Sequence, residues 1–319
     1  MTGKSSVKPG RQTFAVHYLL LAALLALAVP ARPQRLTGLA GAFAPVAISA
    51  RTTALGGTRV VATLGPDALF ANPASLAFYS PRTVAFHYFR VFGLVPYLAA
   101  AADFRVFGNS WAGVGLTSNG DALYRENSLI VAYARPLTWQ GKAAEIGAAF
   151  AFRYASFGAE NSGPGAVTGH AVGAGLSAGV RLWLTEHLAV GVLLQDAPNY
   201  LRWSTSAKGS SYAEGLPVHL ALGAAAFDVA GMTLAFDWDK SLYRETYDHI
   251  RLGVERRFLS FLFTRAGYST ALANPEYTQY SFGLGARYPI AADRFAYLDL
   301  SYTLQELPNI LRVSFYFTF

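Results

Sequence analysis

Asp237 and Asp239 stand two apart in MTLAFDWDK, and His249 and Arg251 stand two apart in HIRLGVE. A spacing of two places each pair on one face of a strand. If the chain between them closes a hairpin centred near Arg244, Asp239 opposes His249, Asp237 opposes Arg251 and Thr233 opposes Glu255. On the other face Trp238, Phe236 and Leu234 then meet Ile250, Leu252 and Val254, so one register satisfies both faces. Two chemistries fit this constellation. One is a ladder of opposite charges across two strands, each pair contributing about 0.2–1 kcal/mol. The other is a membrane protease that uses the two carboxylates and the imidazole as acid and base.

Little else in the chain has catalytic spacing. The six histidines, at 17, 87, 170, 187, 219 and 249, show no metal-ligand pattern, and there is neither a GxSxG elbow nor a phosphate-binding loop. A lipase of the outer-membrane type needs its Ser-His pair on the lipid-facing side, whereas Ser177 and Ser281 fall on the small, polar face of their strands. With no cysteine there is no thiol nucleophile, disulfide framework or lipid-modified N-terminal cysteine. The sequence therefore reads as non-enzymatic, without cofactor or metal. The surplus of Tyr and Trp, such as Tyr97, Tyr133, Trp139, Trp183, Tyr268, Tyr288 and Tyr302, fits the interfacial girdles of a barrel. Carbohydrate stacking is the alternative for those rings.

The elements that would position these residues are strands. The chain ends on ILRVSFYFTF, with Leu311, Val313, Phe315, Phe317 and Phe319 on one face and Arg312, Ser314, Tyr316 and Thr318 on the other. At the opposite end Lys4, Lys8 and Arg11 precede an apolar run from Phe14 to Val29, with cleavage points after Ala28 or Ala31, a secretory signal peptide over 1–31. Export and a terminal aromatic strand together predict an all-β, transmembrane antiparallel barrel integral to the Gram-negative outer membrane. Composition agrees: 53% of residues are hydrophobic and 14% charged, against about 25% charged in average soluble domains. Loss of Lys4, Lys8 and Arg11 takes the net charge from +7 to +4, and no dense basic cluster invites nucleic acid. The partners expected are outer-membrane lipid and, through Phe319, the barrel-assembly machinery.

Residues 32–82 are rich in Gly, Ala and Thr and lack sustained alternation, which predicts a compact hatch inside the lumen; Asn72 and Pro73 suit the cap and first position of a short helical turn. From residue 83 to 319 about 14 segments alternate with a period of two, most over about 9 to 12 residues, as a tilted membrane strand requires. Long connections at 119–126, 159–166, 197–217, 241–247 and 270–277 contrast with tight ones near 185, 229 and 259, the asymmetry of an even-stranded barrel. The inward face is small: Gly173, Gly175, Ser177 and Gly179 in one strand, Gly147 and Ala149 in another, Gly283 and Gly285 in a third. Such glycines either make room for the hatch or relieve curvature. Tyr200, Trp203 and Tyr212 in the longest loop are a candidate ligand or partner surface, and the apolar VFGLVP of Val91–Pro96 is a candidate ligand entry.

The residues ISARTTALGGTRVV (Ile48 to Val61) and ANPASLAF (Ala71 to Phe78) resemble the opening of the PorV/PorQ family of outer-membrane proteins, which are related to the long-chain fatty-acid transporter FadL. In that group a segment of the type S-A-R-x-x-x-L-G-G … N-P-A-x-L precedes a 14-stranded barrel. The resemblance implies a hatch whose motif is carried by Gly56, Gly57, Asn72, Pro73 and Ala74. It implies a role accessory to type IX protein secretion or surface attachment, with exported proteins as partners. The FadL side of the resemblance implies instead a channel for long-chain fatty acids or other hydrophobic compounds. Gly65-Pro66-Asp67 stands where the family usually has an acidic pair.

Overall fold

The computed structural model describes residues 42–319 apart from 45, 79–80, 159–165, 208–210 and 243–246. The expected signal peptide, 1–31, and the first part of the expected hatch, 32–82, lie outside the described residues. Sixteen strands follow one another: β1 (Thr83–Val91), β2 (Val95–Arg105), β3 (Trp111–Gly120), β4 (Tyr124–Trp139), β5 (Lys142–Phe157), β6 (Gly169–Trp183), β7 (Leu188–Gln195) and β8 (Asn199–Thr205). Then come β9 (Ser211–Glu214), β10 (His219–Val229), β11 (Met232–Ser241), β12 (His249–Phe258), β13 (Leu262–Ala271), β14 (Asn274–Ala291), β15 (Arg294–Leu304) and β16 (Ile310–Thr318).

Fourteen of them close an antiparallel ring, with β1 paired to β16 from Thr83↔Thr318 to Phe89↔Arg312. The extra two, β8 and β9, form a hairpin that continues β6 above β7. Closure leaves the ring no free edge, so neighbouring strands satisfy one another's backbone groups, the condition for crossing hydrocarbon. Alternation sorts the side chains. In β16 Arg312, Ser314, Tyr316 and Thr318 are buried inside while Leu311, Phe315 and Phe317 are exposed outside. Phe86, Leu116, Phe152, Phe236 and Phe282 extend that apolar outer band around the ring.

The lower rim, where Thr83 and Phe319 meet, is joined by short turns, such as 140–141, 230–231 and 292–293. At the upper rim the strands outrun the span. β4 and β5 have 16 residues each and β14 has 18, against the roughly 9–11 a membrane strand needs. Two expected long loops are therefore ladder: only 121–123 separates β3 from β4, and only 272–273 separates β13 from β14. The expected loop at 197–217 is largely the β8–β9 hairpin. Period-two patterning continues past the membrane because the sheet itself does.

Residues 42–78 fill the ring. The helix α1 (Ala50–Ala54) touches β13 to β16; the 3-10 turn Gly65–Phe70 touches β1 to β4; the 3-10 turn Pro73–Ala77 touches β3 to β6. Val60 and Val61 pack with β7 and β10 residues. A segment in contact with strands on every side lies within them. The wall glycines at 147, 179, 253, 267 and 283 face it: a Cβ at Gly147 would sit 2.5 Å from Ala74 N, and one at Gly253 2.6 Å from Leu55 O. Close approach of the segment, by backbone at 147, 253 and 267 and by the Asn72 and Ala54 side chains at 179 and 283, rather than curvature alone, explains these glycines. Gly175 and Gly285 differ, since a Cβ there would meet Arg153 and Asp196, or Arg265 and Asp299.

Gly147→Val is predicted to displace the Pro73–Ala77 turn while the ladder survives. Trypsin should cleave at Arg51 and Arg59 faster than in the parent, with the heat-modifiable band of a folded barrel retained on an electrophoresis gel.

Candidate functional site

The interior is built from the 42–78 segment upward. Ser49 caps α1, its hydroxyl accepting the Thr52 N–H at 3.1 Å. Gly56 and Gly57 then take left-handed φ of 69° and 79°; a Cβ at Gly56 would meet the Tyr268 carbonyl at 2.6 Å, so the Gly-Gly pair is fixed both by conformation and by space. Asn72 caps the second 3-10 turn as its sequence suggested. Its Oδ1 accepts the Ala74 N–H at 3.1 Å, and its Nδ2 donates to the Val60 carbonyl at 2.7 Å, tying the two ends of the motif together.

Charge fastens this segment to the wall. β11 and β12 pair as Asp239↔His249, Asp237↔Arg251 and Thr233↔Glu255, the register read from the sequence. The carboxylates, however, turn to the segment. Asp237 accepts the backbone N–H groups of Arg59 and Val60, the latter at 3.0 Å. Asp239 is shared among Arg59, Arg251 at 2.8 Å and His219 Nδ1 at 3.0 Å. The imidazole on Asp239 is thus His219 on β10, not His249, and both carboxylates are consumed by structural partners. Further along β12 Glu255 takes both Arg51 at 2.9 Å and Arg265, which also reaches Asp299 at 2.7 Å. Arg181, fully buried, pairs with Glu145 at 3.0 Å and donates to the Val61 carbonyl at 3.3 Å.

A third anchor is Asp67 in the first 3-10 turn. Tyr316 donates its hydroxyl to Asp67 Oδ2 at 2.8 Å, and His87 Nε2 stands 3.3 Å from Oδ1. Burial acts to raise the Asp67 carboxyl, but His87, Ser49 and Tyr316 outweigh it and hold it below its ordinary 3.8.

Above the segment lies a luminal cavity of about 300 Å³. Leu69 and Phe70 form part of its base, Phe43 and Phe92 add apolar surface, and Tyr97 and Glu126 add polar groups. Phe92 belongs to the VFGLVP stretch, so that turn does border the interior space. Arg153 reaches into the same cavity, pairs with Asp196 at 2.6 Å and lies over the Phe43 ring at 5.8 Å. Asp196, with φ 56°, stands at the break between β7 and β8, its N–H donating to Ser177 Oγ at 3.2 Å.

The three aromatic residues expected to share one loop surface do not. Trp203 is buried on the inner face of the β8–β9 hairpin, 5.6 Å from Phe157 and 6.4 Å from Tyr212, and donates its indole N–H to Glu214 at 3.0 Å. Tyr200 lies on the outer face, 51% exposed. Alternation along β8 separates 200 from 203. Among the described residues no cluster of His, Asp or Glu could hold a metal.

Sequence reasoning missed Arg59, His219, Arg153 and Asp196. Arg153 carried one signal, an inward charge in an otherwise small-residue face.

No protein-family model and no curated protein matches the chain. Solved structures are similar to it. The CymD monoaromatic hydrocarbon channel aligns with a TM-score of 0.62 and 15% identity over 87% of this chain and 99% of that one. The Pseudomonas putida toluene transporter TodX aligns at 0.57 and 17% over 85% and 96%, and a Pseudomonas aeruginosa FadL homologue at 0.55 and 11% over 84% and 97%. At these identities the likeness is one of fold: a closed 14-stranded antiparallel barrel of FadL-like architecture.

Two outcomes follow for the anchors. Asp239→Asn leaves Arg59 and Arg251 without their shared carboxylate, and should destabilise the interior by about 3 kcal/mol, read as faster hydrogen exchange at Arg59 and Val60. For Asp67, the folded carboxyl binds its proton less tightly than the unfolded one, so its stabilisation is whole above about pH 4 and drains as pH falls through the depressed folded value. Thermal melts from pH 7 to 2.5 should show that acid loss, and Asp67→Asn should flatten it.

Proposed function

We propose that this chain is an outer-membrane channel for small hydrophobic compounds, with the 42–78 segment as its hatch. The observation that carries the reading is the cavity of about 300 Å³ inside the barrel, walled by Phe43, Phe70 and Phe92 and floored by the hatch. A barrel serving only as a structural wall needs no hollow of mixed aromatic and polar lining above its filling. The volume lies at the small end of ligand pockets, roughly 300–1,000 Å³, and suits a single-ring or short-chain compound better than an extended fatty acid. Fold likeness to structures described as hydrocarbon channels supports the same class.

Outer-membrane placement rests on the apolar outer band, the closed ladder and the exported N-terminus read from the sequence. The terminal strand ending in Phe319 is the contact proposed for the assembly machinery. The PorV/PorQ-type secretion role suggested by the motif at 48–78 has less behind it. The loop offered as a partner surface is a hairpin with Trp203 turned inward, and the comparisons support the channel instead.

Ala151 lines the cavity and is buried. Ala151→Phe is predicted to fill it and to lower the affinity of purified protein for a monoaromatic probe by about tenfold, roughly 1.4 kcal/mol, with the barrel still folded. Unchanged binding would mean that the cavity is not the ligand site.

A further inference from the structure

The outer wall carries two contiguous depressions on the upper half of β1 to β8. One is an apolar groove of about 650 Å³. It exists because Ala100 is the small member of the cross-strand row Phe315, Phe86, Ala100, Leu116, Leu129, Phe152. The row above it runs Tyr88, Leu98, Ser118, Asn127, Tyr154, Val172, Arg202. The second depression, about 360 Å³, lies higher and is polar, lined by Ser156, Thr168, His170 and Ser204 among others. Tyr154 lines both, and its ring stacks on His170 with centroids 6.5 Å apart.

Two arginines border the polar depression. Arg125 lies in the row Arg125, Ser156, His170, Ser204, and Arg202 lies one row below. Both are exposed on the outward face. Among the described residues neither they nor His170 forms an ion pair; Asp121, in the turn before β4, is the acid within electrostatic range of Arg125. Elsewhere on the outward face Lys240 is answered by Asp248 at 3.5 Å. The patch thus joins hydroxyls and cations that form no ion pair among the described residues, at the upper rim, to an apolar trough running down the wall.

We infer that this surface binds a phosphorylated glycolipid of the outer leaflet, its sugar-phosphate head among Arg125, His170 and Arg202 and an acyl chain in the groove over Ala100. The hydroxyls and Asn127 supply partners for sugar oxygens, and the guanidinium groups match phosphate geometry. The inference rests on the outer-membrane placement proposed above but not on the luminal cavity, so a failed hydrocarbon-binding test leaves it standing.

The test is native mass spectrometry of the purified full chain in mild detergent, titrated with bis-phosphorylated lipid A, phosphatidylethanolamine or inorganic phosphate. Lipid A should be retained about tenfold more strongly than phosphatidylethanolamine, and Arg125→Gln with Arg202→Gln should remove that preference. Ala100→Trp should weaken lipid A retention while leaving the cations in place. Equal retention of the two lipids, or an unchanged preference in the double variant, would overturn the inference. So would full competition by inorganic phosphate, which would indicate a site for a free anion only. Retention of the heat-modifiable band shows that each variant is folded.

Discussion

Glu255 lies between Arg51 of the interior segment and Arg265 of the wall, and the whole interior depends on arrangements of this kind. A carboxylate taken from water needs a counter-charge or several hydrogen bonds. Asp237, Asp239, Glu255 and Asp67 all draw at least part of that compensation across the boundary between wall and segment. Neither half is complete alone. The barrel without residues 42–78 would expose half-paired acids around a glycine-lined hollow, and the segment without the barrel would leave Arg51 and Arg59 without their carboxylates and a run of backbone uncovered.

This division of labour explains the composition of the inward face. Glycine at 147, 253 and 267 lets backbone meet backbone, at 283 admits the Ala54 side chain, and at 175 and 285 leaves room for an arginine to reach its acid. The outer face obeys another solvent and is apolar through the same strands. Between the two, the interior is packed below and hollow above, with Arg153 and Asp196 where the seventh wall position changes from β7 to β8.

Much of this was legible in the residues. Alternation located the ring strands, and the paired spacings at 237–239 and 249–251 fixed the register of β11 on β12 before any coordinates. Asn72-Pro73 announced its turn because capping is local chemistry. What failed was non-local. Arg59 meets Asp239 across 180 positions, and no spacing rule reaches that far, so the acids were paired with the nearer His249 instead of His219. The β8–β9 hairpin reads as loop in the sequence because its strands are short, and Tyr200, Trp203 and Tyr212 stand close in sequence although alternation sends the first to the opposite face from the others.

The channel proposed above requires the segment held by these charges to shift before a ligand can pass. A disulfide can test it directly, because the chain has no cysteine of its own. A Cβ at Gly113 would lie 3.2 Å from Leu69 Cγ, the position a cysteine sulfur would take, so Leu69→Cys with Gly113→Cys can lock the hatch to β3. Flux of a monoaromatic probe into proteoliposomes should be low when this variant is oxidised and should recover on reduction. Equal flux in the oxidised and reduced forms, with the crosslink verified by mass, would contradict the account.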